Sequence, residues 1–174
     1  SMTPRLAGPS MAALSFREAT MQLVCPAGNL PALQAAVDAG ANAVYAGFRD
    51  QTNARAFPGL NFSDDELRAG VRYAHAKGAK VYLALNTYPD SARLKDWHAA
   101  VDKAAAIGCD AIIAAEMAVL DYAARSHPGL PRHLSVQGSA TTAPALKYAF
   151  ERFGISRAVL PRVLSLQQVE RLCE

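Results

Sequence analysis

Short, dense apolar runs alternate along this chain with longer stretches in which apolar positions recur every three or four residues. The first kind of pattern predicts buried strands and the second amphipathic helices. Gln22–Cys25 predicts a strand, ended by Pro26-Ala27-Gly28, and Pro31–Ala39 predicts a helix with Asn29 as its N-cap and Gly40 as its stop. Ala43–Ala46 predicts the second strand. Ser63-Asp64-Asp65-Glu66 has the form of a capping box and opens a helix that runs to Lys77 and stops at Gly78. Lys80–Leu85 and Leu94–Ile107 form the next strand and helix, with Gly108 as the stop. Ala111–Ala114 and Met117–Ser126 follow, then Leu134–Gln137 and Ala143–Phe153 with Gly154. Arg157–Leu160 is the sixth strand, and Ser165 caps a final helix.

A degenerate repeat marks the joints. Gly40-Ala41-Asn42-Ala43, Gly78-Ala79-Lys80-Val81 and Gly108-Cys109-Asp110-Ala111 sit at the same place in successive units, each a glycine stop followed by a short turn into a strand. Strands this short and this apolar are buried on both faces, and strands linked by helices form a parallel sheet. The expected class is therefore α/β, a parallel βα-repeat that is TIM-barrel-like and incomplete, with about six of the eight units of a closed barrel. Residues 21–174 are expected to form the N-terminal part of that domain. Residues 1–20 are expected to be a tag remnant (Ser1-Met2) and a flexible extension. No GxGxxG turn follows a strand, which argues against a dinucleotide-binding sheet.

Composition narrows the function classes. The 174 residues are 51% hydrophobic and 19% charged, an ordinary globular balance, and the net charge is +3. Lysines and arginines are scattered, which argues against a dedicated nucleic-acid binder while leaving RNA open as a substrate. No apolar run reaches the length of a bilayer span. Cys25, Cys109 and Cys173 form no CxxC pair, so a reducing cytoplasm is the expected location, and no metal site is expected from this chain.

Working groups in parallel α/β folds gather where strands end and helices begin. Asn53, Arg55 and Asn61 follow the second strand, Asn86 the third, Gln137 and Ser139 the fifth, and Arg162 the sixth. These seven are the candidate substrate-binding residues, and no catalytic residue is assigned. Amides and arginines suit a small anionic or phenolic ligand. The same loop residues could equally serve to tie down their own backbone. Glu116 reads as a helix cap and Cys25 as a small buried hydrophobe. His75, His98, His127 and His133 fall on helices or ahead of strands and read as non-ligands.

Leu23-Val24-Cys25-Pro26-Ala27-Gly28-Asn29-Leu30, followed by Gly40-Ala41-Asn42-Ala43-Val44-Tyr45-Ala46-Gly47, resembles the opening signature of the collagenase-like peptidase family, peptidase family U thirty-two. Thr52-Asn53-Ala54-Arg55, Gly59-Leu60-Asn61-Phe62, Ser135-Val136-Gln137-Gly138-Ser139-Ala140-Thr141 and Val159-Leu160-Pro161-Arg162 are similar to its UbiU-like branch, which acts in oxygen-independent ubiquinone biosynthesis. The resemblance implies a subunit of a hydroxylase acting on the aromatic ring of ubiquinone precursors. It implies a 4Fe–4S cluster in the full-length protein, on cysteines beyond this chain. It also implies a UbiV-like homologous subunit, a UbiT-like lipid-binding accessory protein, and prephenate as the oxygen source. Other readings within the family are RNA-base hydroxylation or maturation, a collagenase-like peptidase, and a non-catalytic scaffold.

Overall fold

The computed structural model describes residues 21–173; the extension expected over 1–20 lies outside the described residues. Six strands alternate with six helices: β1 (Val24–Pro26), α1 (Leu30–Asp38), β2 (Ala43–Ala46), α2 (Asp64–Ala76), β3 (Lys80–Leu85), α3 (Leu94–Ile107), β4 (Ala111–Ala114), α4 (Met117–Ser126), β5 (Arg132–Leu134), α5 (Ala143–Phe153), β6 (Ile155–Ala158) and α6 (Leu166–Cys173). All strand pairs are parallel and the order is β1-β2-β3-β4-β5-β6. This sequential order is that of a βα barrel wall, open between β6 and β1.

The repeat at the joints has a physical basis. Gly40, Gly78 and Gly108 take φ of +92°, +75° and +88°, which side chains on L-residues disfavour. The next residue, Ala41, Ala79 or Cys109, is buried, and its N–H reaches back to a carbonyl in the last helical turn (Ala36, Ala74 or Ala104). Cys109 thus occupies a small-residue position in a helix stop. The third residue can then close the joint. Asn42 Oδ1 accepts from the Leu23 N–H at 2.7 Å, and Asp110 Oδ2 accepts from the Val81 N–H at 2.7 Å.

The helix starts follow the same local logic. Asn29 accepts from the Ala32 N–H, and Ser63 and Glu66 close a reciprocal capping box. Glu116 accepts from the Ala118 N–H, so the cap reading of that acid holds.

The main core lies between the sheet and its helices and includes the fully buried Leu33, Val44, Leu67, Val81, Leu83, Leu85, Ile112 and Leu120. A second, small cluster faces the other way: Ala43, Tyr82 and Ala111, with Val24, Tyr45 and Ile113 against them. Alternate residues of each strand therefore point outward to helices and inward to a common interior. The inward set is rich in alanine, which leaves space there.

Three strands are displaced from their expected positions. β1 begins at Val24, not Gln22, and runs into Pro26. β5 begins at Arg132, not Leu134, and Val136–Gly138 is a 3-10 turn. β6 begins at Ile155, not Arg157. In β5 a charged residue hides the strand. Arg132 is only 9% exposed, and its guanidinium donates to the carbonyls of His127, Pro128, Leu130, Phe153 and Gly154. From the helix-facing side of the wall it satisfies carbonyls at the end of α4, in the turn after it and at the end of α5. With β5 moved, His133 is not ahead of a strand but within one, and it faces the interior.

Candidate functional site

The carboxyl ends of the strands open into a cavity of about 620 Å³ lined by residues from all six strands and the loops after them. The β2–α2 loop covers much of its mouth, and asparagines hold that loop in shape. Asn53 Nδ2 donates to Asn61 Oδ1 at 2.9 Å, Asn53 Oδ1 accepts from the Arg55 N–H at 3.0 Å, and Asn61 Nδ2 donates to the Arg55 carbonyl at 2.6 Å. Asn61 sits at φ +75°, a conformation asparagine tolerates better than most residues. From the β3 end, Asn86 Oδ1 accepts from the Ala54 N–H at 3.0 Å. Both Asn53 and Asn61 are buried.

Gly47 makes this arrangement possible. A Cβ there would lie 2.1 Å from Asn53 Nδ2. Its φ lies outside the left-handed region, so the requirement is room for the asparagine and not backbone freedom.

The loop bonds present the Arg55 side chain at the mouth. Arg55 is exposed, and it forms no ion pair among the described residues. Gln137 stands across the mouth, after β5, where its carbonyl accepts from the Tyr88 hydroxyl. Asn53, Arg55, Asn61, Asn86 and Gln137 therefore line one cavity. Ser139 and Arg162 are exposed outside its lining, with Ser139 in the left-handed region at φ +52°.

Below the mouth lie groups that the sequence reading did not select: Tyr82, His133 and Arg157, together with Tyr45. Tyr82 and His133 meet edge to face at 4.8 Å, and the Arg157 guanidinium lies 5.8 Å from the Tyr82 ring centre. Burial, reinforced by the positive charges of Arg157 and Lys80, depresses the His133 pKa to about 4, so the ring is neutral at neutral pH. A usable signal was present in the sequence. Alternation along a strand puts His133 on the face opposite the helix-facing Arg132, and pairing across a register shift puts Arg157 beside His133. Misplacing β5 and β6 concealed it.

The cavity lining contains no aspartate or glutamate. It is a largely apolar and aromatic chamber with amides at the rim and two arginines, which suits a small ligand carrying negative or phenolic charge.

Among the described residues, the surroundings of Cys109 do not favour a thiolate. Cys25 is half-buried, and burial pushes the Cys109 thiol up to about 12, against the thiolate a cluster requires. Among the described residues, no three His, Cys, Asp or Glu side chains group as a metal site. No helix among these residues is long and apolar enough to cross a membrane.

A parallel βα-barrel wall with a ligand-sized chamber at its carboxyl mouth defines the class. Within that class, the Peptidase family U32 model matches residues 28–174, and the chain belongs to that family. It is 32% identical over 156 residues to tRNA hydroxylation protein P of Escherichia coli, covering 87% of this chain and 33% of that protein. It is 33% identical over 153 residues to a collagenase of Porphyromonas gingivalis, covering 88% of this chain and 36% of that protein. The chain thus spans about a third of the length of these curated relatives. The solved U32 peptidase Mk0906 superposes with a TM-score of 0.72 at 13% identity, covering 98% of this chain and 68% of that one, which shows the shared fold. The family holds proteins named for hydroxylation and proteins named as peptidases.

Proposed function

We propose that this chain supplies the ligand-binding chamber of an oxygen-independent hydroxylase acting on the aromatic ring of ubiquinone precursors, as the UbiU-like branch does. The full-length protein would carry its 4Fe–4S cysteines outside this chain and work with a UbiV-like subunit and a UbiT-like lipid-binding protein. The redox chemistry belongs to the cofactor. The residues of this chain bind and orient.

One observation carries the reading: polar donors and an apolar collar share the mouth of a largely apolar, aromatic chamber. Arg55 and Gln137 offer donors to a phenolic or carboxylate oxygen, and Tyr45 and Tyr82 flank space for a ring. Around them Phe57, Leu60, Val136 and Val159 line the opening at 60%, 40%, 41% and 43% exposure. An acceptor with a polar aromatic head and an apolar tail matches that distribution. A nucleic acid would call for a basic rim.

In the full-length protein, Arg55→Ala is expected to abolish anaerobic quinone hydroxylation while iron content stays at the wild-type level. Normal hydroxylation in that variant would overturn the assignment of Arg55. A second reading, an RNA base as acceptor, is favoured by the relatives named tRNA hydroxylation protein P. Mass spectrometry of quinones and RNA from a deletion strain separates the two, because only one class of product should lose its hydroxyl group.

A further inference from the structure

The loop after β3 grips both sides of the mouth through three consecutive side chains. Asn86 Oδ1 accepts from the Ala54 N–H, and the Thr87 hydroxyl donates to the Gln51 carbonyl. These two residues hold the β2–α2 loop that carries Arg55. Tyr88 serves the opposite side: its hydroxyl donates to the carbonyl of Gln137, in the turn after β5. β4 lies between β3 and β5, so this tie crosses two strand spacings, roughly 9–10 Å. The way is clear because β4 joins α4 through Ala115 and Glu116 alone.

Tyr88 is 56% exposed, so burial does not account for its place. The Gln137 turn, in contrast, needs an outside tie. Its other hydrogen bonds among the described residues run within the turn. Ser135 Oγ accepts from the Gln137 N–H at 3.3 Å, the Ser135 carbonyl from the Gly138 N–H at 2.9 Å, and the Val136 carbonyl from the Ser139 N–H at 3.1 Å. The Ser139 hydroxyl donates to the Gln137 carbonyl at 3.4 Å. These bonds shape the turn but fix it to no other loop. The Gln137 amide and the Arg55 guanidinium both line the chamber, and neither makes a side-chain hydrogen bond among the described residues.

We infer that Tyr88 is a positioning residue: it holds the Gln137 turn at a set distance from the Arg55 loop, so that the two free side chains meet one ligand together. A hydrogen bond to a backbone carbonyl fixes where a residue stands and leaves its side chain available. This inference rests on the reading of the chamber as the ligand site and adds the residue that couples its two sides.

Two measurements on the full-length protein test it. The first is amide hydrogen exchange, which needs no substrate. Tyr88→Phe should speed exchange across residues 136–139 about fivefold, as expected for the loss of one hydrogen bond, and leave residues 52–56 unchanged. Unchanged exchange at 136–139 would overturn the inference. The second is a double-mutant cycle on formation of the hydroxylated product that the deletion strain lacks, quinone or RNA. Tyr88→Phe should lower the rate about fivefold and Gln137→Ala about tenfold or more. The double variant should be no slower than Gln137→Ala, because no amide is left to position. Additive losses would mean that the hydroxyl only supports the fold, and the inference would fall. A normal rate in Gln137→Ala would also sink it. Either failure, with loss of quinone hydroxylation in Arg55→Ala, would leave the proposed function standing. If the missing product is RNA, the quinone role falls and the same cycle still decides Tyr88.

Discussion

Arg132 and Arg157 lie on neighbouring strands and face opposite ways. Arg132, on β5, points to the helix layer, where five carbonyls occupy its guanidinium. Arg157, on β6, points into the barrel, where one glutamine oxygen and one ring face hold it. On the outward side Arg132 has its donors satisfied, because an unsatisfied buried donor costs folding free energy. The inward side leaves donors available to a ligand. The two faces of one sheet thus divide stability from binding.

The largest effect should come from breaking the outward member. Arg132→Leu would strand the carbonyls around the ends of α4 and α5 and is expected to cost about 3 kcal/mol or more. Arg157→Leu should change stability by no more than about 0.5 kcal/mol. Urea-unfolding midpoints measure both, and equal losses would erase the contrast.

His133 sharpens the comparison through pH. Its folded pKa, about 4, lies below the ordinary value of 6.5, so the unfolded chain binds the proton more readily. Its contribution is therefore complete above pH 6.5 and is lost as pH falls toward 4, of order 3 kcal/mol in all. His133→Gln should flatten that part of the stability profile. An unchanged profile would mean that the ring is not buried as described.

Smaller effects are expected from the supports of the mouth. Gly47→Ala drives a methyl group into Asn53 and should cost about 1–3 kcal/mol, with loosening of the β2–α2 loop detectable by hydrogen exchange. Ser63→Ala removes one half of the α2 capping box and should cost about 1 kcal/mol in thermal unfolding. That change lies in the helix layer and should leave ligand binding untouched.

Much of the fold was legible because its signals are local. The capping box at Ser63 and Glu66, the glycine stops at Gly78 and Gly108, and the runs Ala43–Ala46, Lys80–Leu85 and Ala111–Ala114 each depend on a few adjacent residues, and the structure places them as read. β5 was misplaced because a buried arginine looks like a surface residue until its five carbonyl partners, gathered from two helix ends, are known. At the site, the sequence supplied the polar tips Asn53, Arg55, Asn61, Asn86 and Gln137 but not their division of labour. Three asparagines brace the loop, and Arg55 is the side chain that the brace presents.

By itself, then, the sequence determined the alternation of strand and helix, the joints between units and the parallel sheet, since backbone propensity and capping act over a turn or two. Tertiary structure alone decided that Tyr82, His133 and Arg157 share one interior, that Ser139 and Arg162 stand outside it, and which of two arginines is spent on the fold. Those outcomes depend on strand register and on the curvature of the whole sheet, and register is set by contacts between residues far apart in the chain.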